Sequence, residues 1–202
     1  MVDVIQCRVG GDNFAYLVAC PVTGQALGVD PGRDPRVLLD ELQRRRLTLA
    51  VLANTHGHAD HVAGNAAVLA ATGALLAAHP ADLPEAAIPL AEGSVLTVGS
   101  LEVVVLHTPG HTPGSLCFYV KDALLTGDTL FVSRCGRADL PGSDPAALYG
   151  SLSRLAALPG ATRVFPGHDY GLQPISTMAW ELANNPYLRC PDLAAFFRLR
   201  MG

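Results

Sequence analysis

The stretch from Thr55 to Asn65, THGHADHVAGN, places three histidines and one aspartate within six consecutive positions. It follows the apolar run LTLAVLA and leads into a segment whose apolar residues recur at helical spacing. Imidazole and carboxylate groups together suit zinc, iron and similar first-row metal ions. The loop is therefore either a hydrophilic turn that is rich in histidine or a metal-binding loop, and the rest of the sequence decides between them.

Three further polar residues occupy the same place at the ends of predicted strands. His111 follows LEVVVLHTPG, Asp128 follows ALLTG, and His168 follows TRVFPG. A glycine directly precedes each of them, which permits tight turns and close approach of the backbone. Loops that a rigid sheet holds at its edge can bring polar groups together without burying unpaired charge. We therefore expect these three residues to converge with the histidine loop.

The spacing of these residues fits two metal ions. His56 and His58 are two positions apart, so an extended segment directs both side chains to the same side. Asp60 and His61 follow at the turn into a predicted helix and can face a neighbouring point. The candidate ligands are His56, His58 and His111 for one ion, Asp60, His61 and His168 for a second, and Asp128 as a possible bridge.

The histidines and cysteines outside this pattern have simpler interpretations. His79 and His107 have no adjacent acidic or imidazole residue, and we predict that both are structural. The five cysteines are odd in number and widely spread, which argues against a disulfide framework and favours a reducing cytoplasm. Most of them are expected to be small buried hydrophobic residues, with Cys135 in a more polar loop.

Composition narrows the class of protein. The chain has 202 residues, of which 50% are hydrophobic and 16% are charged, so one globular domain over residues 1–202 is expected. The formal charge of −4 gives no electrostatic reason to bind nucleic acid. The N-terminus has no basic segment followed by an apolar run, and no segment reaches about 18 consecutive apolar residues. We therefore expect neither a signal peptide nor a membrane span.

The order of predicted elements indicates two sheets packed face to face with helices outside. Each half of the chain has a run of strands followed by a helix and another strand. Strands are predicted over 2–9, 13–20, 25–30, 47–54, 94–98, 101–108, 115–120, 123–128 and 162–169, and helices over 35–46, 61–72, 144–158, 174–185 and 191–200.

The motifs THGHADH, TPGHTPGS, TGDTLF and FPGHDY resemble the metallo-β-lactamase superfamily over nearly the whole chain. The resemblance implies an α/β fold, a four-layer αββα sandwich with a metal site at one edge of its two sheets. It also implies the ligand assignment given above. Asp30, in GVDPG, matches a family aspartate near the site and would orient a ligand. An ordinary turn residue before Pro31 and Gly32 is the alternative for Asp30.

Within the superfamily, DNFAYLV, ANTHGHADHVAGN and TGDTLFVSRCGR resemble the glyoxalase II (hydroxyacylglutathione hydrolase) group. That group cleaves glutathione thioesters with a metal-bound hydroxide, which implies two divalent ions, Zn²⁺ first, with iron or manganese also accepted. Asp60 and Asp128 would be its catalytic residues, positioning the nucleophile. Only 34 residues follow His168, and CGRADLPGSDP differs from the usual loop of that group, so the resemblance leaves the substrate open.

The persulfide dioxygenase branch is the alternative, resembled at CGRAD and GHDY. It oxidises glutathione persulfide with a single Fe(II) held by His56, His111 and Asp128, a face that leaves positions open for oxygen and thiolate. β-Lactamases proper are disfavoured because they usually carry cysteine where this chain has Asp128. The RNA-processing branch is disfavoured by the acidic charge balance.

Two residues outside the ligand set are candidates for substrate binding. Arg137 could meet a glutathione carboxylate through its bidentate fork, or simply anchor its loop. Tyr170 could cover the metal site and bond to substrate, or pack beside His168. The expected partner is a small thiol-derived molecule, and the protein is expected to be a monomer or a homodimer, with LAAFFRLRM as a possible dimer contact. A non-catalytic binding module is disfavoured because every ligand position is filled.

Overall fold

The computed structural model describes residues 2–202, and their N-terminal half forms a six-stranded sheet with helices on its outer face. The first three strands form an antiparallel meander, after which the order continues through parallel strands. The strands, in their order across the sheet, are β1 (Asp3–Arg8), β2 (Phe14–Ala19), β3 (Gln25–Val29), β4 (Thr48–Ala53), β5 (Leu75–Ala78) and β6 (Ile88–Pro89). The helices are α1 (Pro35–Arg45), α2 (Ala59–Val62) and α3 (Asn65–Thr72).

The second half forms another six-stranded sheet and a two-stranded hairpin. The sheet contains β7 (Val95–Val98), β8 (Leu101–His107), β9 (Leu116–Val120), β10 (Ala123–Gly127), β13 (Arg163–Pro166) and β14 (Ser176–Thr177), in the order β14-β13-β10-β9-β8-β7. The hairpin pairs β11 (Leu130–Phe131) with β12 (Arg134–Cys135). The helices are α4 (Pro145–Ala156), α5 (Met178–Asn184) and α6 (Leu193–Met201). As in the first half, antiparallel strands precede a parallel pair, β10 and β13, that is joined through a helix.

Three apolar layers hold the sandwich together. Between the two sheets lie side chains such as Leu27, Phe118 and Phe165. Leu38 of α1 packs on the outer face of the first sheet, and Phe196 of α6 packs outside the second. The αββα sandwich that the motifs imply is thus confirmed, because each sheet is covered on one face by the other sheet and on the other by helices.

Strand β2 shows why the sequence forms such layers. All six of its residues are buried, and successive side chains point to opposite faces. Tyr16 and Val18 face the space between the sheets, whereas Ala15 and Leu17 face the helices. A strand that is buried on both faces must be apolar throughout, which is why FAYLVA lacks the alternation of a half-exposed strand.

The predicted helix over 61–72 is divided in the structure. It begins earlier, at Ala59, and Ala63 and Gly64 separate α2 from α3 while keeping right-handed helical backbone angles. A Cβ atom at Gly64 would lie 2.7 Å from the carbonyl oxygen of Gly32, so only glycine lets this turn approach the loop after β3.

The predicted helix over 174–185 starts later than expected. Ser176 and Thr177 form β14 against β13, and the Thr177 hydroxyl caps α5 by accepting a hydrogen bond from the Trp180 amide at 3.2 Å. The structure also contains β5, β6, β11 and β12, which the sequence did not predict. All five cysteines are free, with Cys190 partly buried and the others, including Cys135, buried. None of the helices within 2–202 has the length and apolarity needed to cross a bilayer.

Candidate metal centre

The seven candidate ligands lie at one edge of the sandwich, and both sheets contribute to them. His56, His58, Asp60 and His61 occupy the segment from the end of β4 into α2. From the second sheet come His111 in the loop between β8 and β9, Asp128 directly after β10, and His168 shortly after β13. The expected convergence at the strand ends is confirmed, because ligand atoms of all seven side chains lie within contact of other members.

Three histidines form the first donor group: His56, His58 and His111. The Nδ1 atom of His58 lies 3.1 Å from Nε2 of His56 and 3.0 Å from Nε2 of His111. His56 and His111 are buried, and His58 is partly exposed. Three imidazole nitrogens at these separations match the ligand set of a tetrahedral zinc site that keeps one position open.

Two histidines and a carboxylate form the second donor group: Asp60, His61 and His168. The Nε2 atoms of His61 and His168 are 3.2 Å apart, and Oδ2 of Asp60 lies 3.4 Å from Nε2 of His168. This mixed nitrogen and oxygen set accepts zinc, iron or manganese.

The Asp128 carboxylate lies between the two donor groups. Its Oδ2 atom is 3.5 Å from Nε2 of His111 and 3.3 Å from Nε2 of His168, and its Oδ1 atom is 3.3 Å from Nε2 of His61. Oδ1 is buried and lacks a hydrogen bond of good geometry to any described residue. A buried carboxylate oxygen without a hydrogen bond needs another partner, and a position facing both donor groups fits a bridging metal ligand.

Hydrogen bonds behind the histidines direct their Nε2 lone pairs into the centre. The Nδ1 atom of His111 lies 2.9 Å from the carbonyl oxygen of Arg137, which can only accept, so this nitrogen carries the proton. The Nδ1 atoms of His61 and His168 face carboxylates in the same way, Asp30 at 3.1 Å and Asp12 at 3.2 Å. In the neutral form of each ring, the proton therefore lies on Nδ1 and the Nε2 lone pair faces the centre, as in metal-ligating histidines.

Asp30 is the hub of the buried network beneath the centre. Its carboxylate accepts hydrogen bonds from the amide of Thr55 at 2.8 Å and from the hydroxyl of Thr55 at 2.6 Å. Because that hydroxyl donates to Asp30, it accepts from Nδ1 of His56 at 3.0 Å. With the bond to His61, Asp30 reaches one histidine of each donor group. Asp30 also follows β3 directly and has a left-handed φ of 51°, so it is a turn residue as well.

The electrostatics favour an ionised carboxylate between histidines whose pKa values shift in opposite directions. Burial alone would raise the pKa of Asp128, but the charge of His61 and its contact with His168 hold that pKa well below its usual range. Burial and the neighbouring charge of His61 lower the pKa of His56 well below its usual value. Burial also lowers the pKa of His61, but the Asp128 and Asp30 carboxylates outweigh it and raise that pKa well above normal. The Asp128 carboxylate thus keeps its negative charge where the two donor groups meet, and it attracts a positive charge there, either a proton on His61 or a metal ion.

Glycines let the backbone come close to Asp128. A Cβ atom at Gly167 would collide with Oδ1 of Asp128 and lie 3.0 Å from Cε1 of His61. Gly127, which precedes Asp128, has a φ of 48°, and a Cβ atom there would collide with the side chain of Thr55. The tight approach expected before Asp128 and His168 is therefore present.

A cavity of about 320 Å³ opens onto the donor groups. Arg137 lines it, but its guanidinium makes a bidentate pair with Asp139 of the same loop, at 2.9 and 2.8 Å. The ring of Tyr170 stacks on that of His168 with centroids 4.8 Å apart and planes 5° apart. Both residues therefore border the cavity, and each also has the structural role that was its alternative interpretation. The cavity is lined by His58, Asp60, His111, Asp128, Phe131, Arg134, Cys135, Arg137, Leu140, His168, Tyr170, Tyr187 and Arg200.

Several residues that bond to the centre lie outside the motifs that predict its ligands. Asp12 and Asn13, in the turn between β1 and β2, bond to His168 and to Asp60, the latter through Nδ2 of Asn13 at 3.0 Å from Oδ2. Asp82, in the turn after β5, bonds to the loops that carry the first donor group. The DN pair in DNFAYLV was the available clue to the first two residues, whereas Asp82 sits in an unremarkable segment.

His79 and His107 differ from the expectation in one respect. Neither has an imidazole neighbour in the sequence, yet their rings stack on each other with centroids 4.4 Å apart and planes 12° apart. They are brought together because His79 directly follows β5 and His107 ends β8, on different sheets. They belong to none of the donor groups among the described residues.

Comparison with known proteins agrees with this geometry. The metallo-beta-lactamase superfamily matches residues 8–168. A hydroxyacylglutathione hydrolase from Nitrosococcus oceani is 44% identical over 166 residues, which are 78% of this chain and 62% of that protein. The chain thus spans less than two thirds of that relative.

Solved protein structures also resemble this chain along most of its length. ETHE1 from Myxococcus xanthus superposes with a TM-score of 0.90 at 30% identity, covering 100% of this chain and 90% of that one. TTHA1623, solved in a di-iron-bound form, superposes with a TM-score of 0.78 at 36% identity, covering 91% of this chain and 100% of that one. With its αββα sandwich and its histidine and aspartate groups at the sheet edge, the chain belongs to the metallo-β-lactamase superfamily.

Proposed function

We propose that the protein is a two-metal hydrolase of the glyoxalase II type, which cleaves a thioester of glutathione or of a similar small thiol. The observation that carries this proposal is the pair of donor groups with the Asp128 carboxylate between them. His56, His58 and His111 would hold one ion, Asp60, His61 and His168 the other, and Asp128 both. Zn²⁺ is the first candidate, with iron or manganese as alternatives.

Two divalent ions held by these residues would lower the pKa of a bound water and would polarise the carbonyl oxygen of the substrate. Asp60, whose Oδ2 atom accepts a hydrogen bond from Asn13, would orient the water and accept its proton. Asp128 would hold the two donor groups at a fixed spacing. Water adds to the thioester carbonyl carbon, the carbon–sulfur bond breaks, and the thiolate leaves through the open cavity.

The cavity wall supports an anionic thiol as the leaving group. Arg134 and Arg200 line it together with Arg137, so cationic groups stand beside the donor groups. Arg200 is held by a hydrogen bond to the carbonyl oxygen of Gly136 at 2.7 Å, and Arg137 is paired with Asp139. Arg134 is exposed and has no ion pair with a described residue, which leaves its guanidinium free for a substrate carboxylate. The name of the Nitrosococcus oceani relative agrees with a glutathione thioester.

The test begins with metal content per chain, on protein purified without chelator and under exclusion of air. About two ions per chain, followed by hydrolysis of S-D-lactoylglutathione monitored at the thioester absorbance, is the expected result. One iron per chain and no thioester hydrolysis would contradict the proposal.

We further propose that residues 1–202 act as a single catalytic domain in the cytoplasm, as a monomer or homodimer, without nucleic acid or membrane as partner.

The second candidate is a persulfide dioxygenase with a single Fe(II). Two observations favour it: the likeness to ETHE1 over the whole chain, and the group of His56, His111 and Asp128. In that group, Oδ2 of Asp128 lies 3.5 Å from Nε2 of His111 and 4.0 Å from Nε2 of His56. Oxygen uptake with glutathione persulfide, measured on the iron-loaded protein, distinguishes this reaction from hydrolysis, which consumes no oxygen.

A further inference from the structure

Asp82 links the two loops that carry the first donor group. It lies in the turn between β5 and β6, where its own amide donates to the carbonyl oxygen of His79 at 3.1 Å. Its Oδ2 atom accepts from the amide of Gly57 at 2.9 Å, and its Oδ1 atom accepts from the amide of Gly114 at 2.8 Å. One carboxylate thus holds a loop from the first sheet and a loop from the second.

The donors lie next to the histidines in both loops. Gly57 stands between His56 and His58 in the chain, so the bond to its amide fixes the peptide that joins two candidate ligands. Thr112 directly follows His111, and its hydroxyl donates to Oδ2 of Asp82 at 2.6 Å. Asp82 is therefore bonded to the backbone or side chain next to all three histidines of one donor group, and it has no hydrogen bond to their rings.

The loops are shaped to receive this carboxylate. A Cβ atom at Gly114 would lie 2.6 Å from Oδ1 of Asp82, and one at Gly57 would lie 3.2 Å from the Asp82 Cβ atom. The Thr112 hydroxyl, which gives its proton to Asp82, can still accept from the Ser115 hydroxyl at 2.7 Å. Both carboxylate oxygens thus accept well-formed bonds. A side chain at Gly114 would collide with the carboxylate, and one at Gly57 would fit only tightly.

The second donor group depends on other residues. Asn13 holds Asp60, Asp12 holds His168, and Asp30 holds His61. Asp82 has no hydrogen bond to any of these side chains among the described contacts. The supports of the two groups are therefore separate, except at Asp30, which reaches His56 through Thr55.

We propose that Asp82 is a positioning residue that sets the geometry, and hence the metal affinity, of the His56–His58–His111 group alone. This inference rests on the two-ion assignment proposed above. Changes in residues that orient metal ligands typically weaken metal binding by about 10- to 100-fold. In Asp82→Asn, one oxygen is replaced by an amide nitrogen that cannot accept, so the bonds to the two loops can no longer all form. We expect at least a tenfold loss of affinity at one of two sites.

The measurement is a titration of metal-free protein with Co²⁺, followed by visible absorption, with a competing chelator to resolve two dissociation constants. His58→Ala and Asp60→Asn serve as references, because each removes a ligand from only one group. In Asp82→Asn, the spectrum and the dissociation constants should shift in the same direction as in His58→Ala. The metal affinity of the Asp60, His61 and His168 group should stay within twofold of the wild-type value. Thr112→Val, which removes one donor and keeps the carboxylate, should give a smaller shift at the same site.

Asp122→Asn is the matched control for loss of a carboxylate that ties segments together. Asp122 accepts from the amide of Val2 at 3.0 Å and pairs with Arg163 at 3.0 Å, at the opposite end of β10 from the centre. Both metal affinities should stay at wild-type values in this variant, even where the thermal midpoint falls.

Three results would overturn the inference. Wild-type affinities at both sites in Asp82→Asn would show that Asp82 does not position the histidines. Equal weakening of both sites would show a general structural role. Binding of one ion only by the wild-type protein would overturn the two-ion assignment itself, and this outcome is separable because it is seen before any variant is compared. Should Asp82→Asn fail to fold, Thr112→Val carries the same comparison.

Discussion

His168 is the residue whose replacement best separates the two candidate reactions. It belongs to the second donor group and is absent from the His56, His111 and Asp128 set of a one-iron centre. We expect His168→Ala to lower kcat/KM for thioester hydrolysis at least about 100-fold, equivalent to about 2.7 kcal/mol of transition-state stabilisation. Steady-state assays with matched metal loading provide the measurement.

The control for His168→Ala is His79→Ala, which removes an imidazole outside the donor groups. It should leave the hydrolysis rate unchanged. Thioester hydrolysis at the wild-type rate in His168→Ala would show that the two-metal assignment is wrong.

Tyr170 allows packing and substrate binding to be told apart. Burial and the charges of Asp12 and Asp128 raise the pKa of its hydroxyl to about 12, so the hydroxyl keeps its proton at neutral pH and can donate. Tyr170→Phe keeps the ring that stacks on His168 and removes only this donor. We expect KM to rise about fivefold, because the loss of one hydrogen bond costs about 1 kcal/mol of binding free energy. The kcat and the metal content should not change.

Tyr149→Phe, in α4, is the control for Tyr170→Phe, because its ring packs against Phe196 away from the cavity. Its kinetics should equal those of the wild type. If Tyr170→Phe also behaves as wild type while Tyr170→Ala loses metal, the residue acts through packing alone.

At the residue scale, the seven donor residues were predictable because their chemistry is concentrated in short motifs. His56, His58, Asp60 and His61 lie within six positions, and each remaining ligand follows an apolar strand. Of the residues behind them, the resemblance indicated Asp30, whereas Asp12, Asn13 and Asp82 were not predicted because their partners are remote in the chain. Asp12 bonds to His168 across 156 positions, and no local pattern marks such a pair.

At the scale of the elements, the β11–β12 hairpin forms part of the cavity wall, and one buried residue supports it. Glu181 of α5 is fully buried and accepts hydrogen bonds from the Ser133 amide at 3.0 Å and from Nδ2 of Asn185 at 2.8 Å. Ser133 has a φ of 62°, which favours glycine, so the turn of the hairpin needs external support. Asn185 also donates to the carbonyl oxygen of Arg134 at 3.0 Å.

Removal of the Glu181 carboxylate should therefore destabilise the protein. We expect Glu181→Ala to lower the free energy of unfolding by about 3 kcal/mol, because buried donors lose their acceptor. Denaturant unfolding provides the measurement. Glu102→Ala, on the exposed side of β8, is the control and should change stability by less than about 0.5 kcal/mol. If Glu181→Ala also changes the free energy of unfolding by less than about 0.5 kcal/mol, Glu181 does not support the hairpin.

The long elements were predictable and the short ones were not. Runs such as LEVVVLHT and PRVLLDELQRRR contain enough residues for their periodicity to show. Strands β6, β11, β12 and β14 have two residues each, too few for any alternation, and they exist only because a neighbouring strand or turn offers hydrogen bonds. Gly64 is a similar case. It does not disturb the apolar pattern of the predicted helix, yet the helix is interrupted there because the backbone lies against Gly32.

At the scale of the whole molecule, metal binding should stabilise the fold, because the donor groups join loops of both sheets. Ions that bind only the folded state at about 100 times their dissociation constant add about 2.7 kcal/mol. This value applies to each ion. For a chain of this size we therefore expect chelation of both ions to lower the thermal midpoint Tm by about 10 to 20 °C, measured by calorimetry or circular dichroism.

Asp128→Ala serves as the control for the chelation experiment, because it removes the carboxylate that faces both donor groups. Its Tm should respond less to the chelator than that of the wild type. An unchanged wild-type Tm after complete metal removal would contradict the link between the ions and the sandwich.

The overall architecture was predictable because both halves of the chain follow one plan. In each, antiparallel strands lead to a parallel pair joined through a helix, β3 to β4 through α1 and β10 to β13 through α4. The sequence repeats this order visibly. The pairing of the sheet faces follows from the apolar residues between them.

The turns at the far end of the sheets also have a consequence. There, Gln25 accepts a hydrogen bond from the Gly99 amide at 2.8 Å, and Asp122 ties the start of β10 to the N-terminus. None of the candidate ligands or cavity residues lies in these turns. The molecule thus separates the parts that maintain its framework from the parts that select its chemistry. Loops at the edge that holds the donor groups can thus vary with little effect on the framework, while the far turns offer attachment points for fluorescent labels or fused domains.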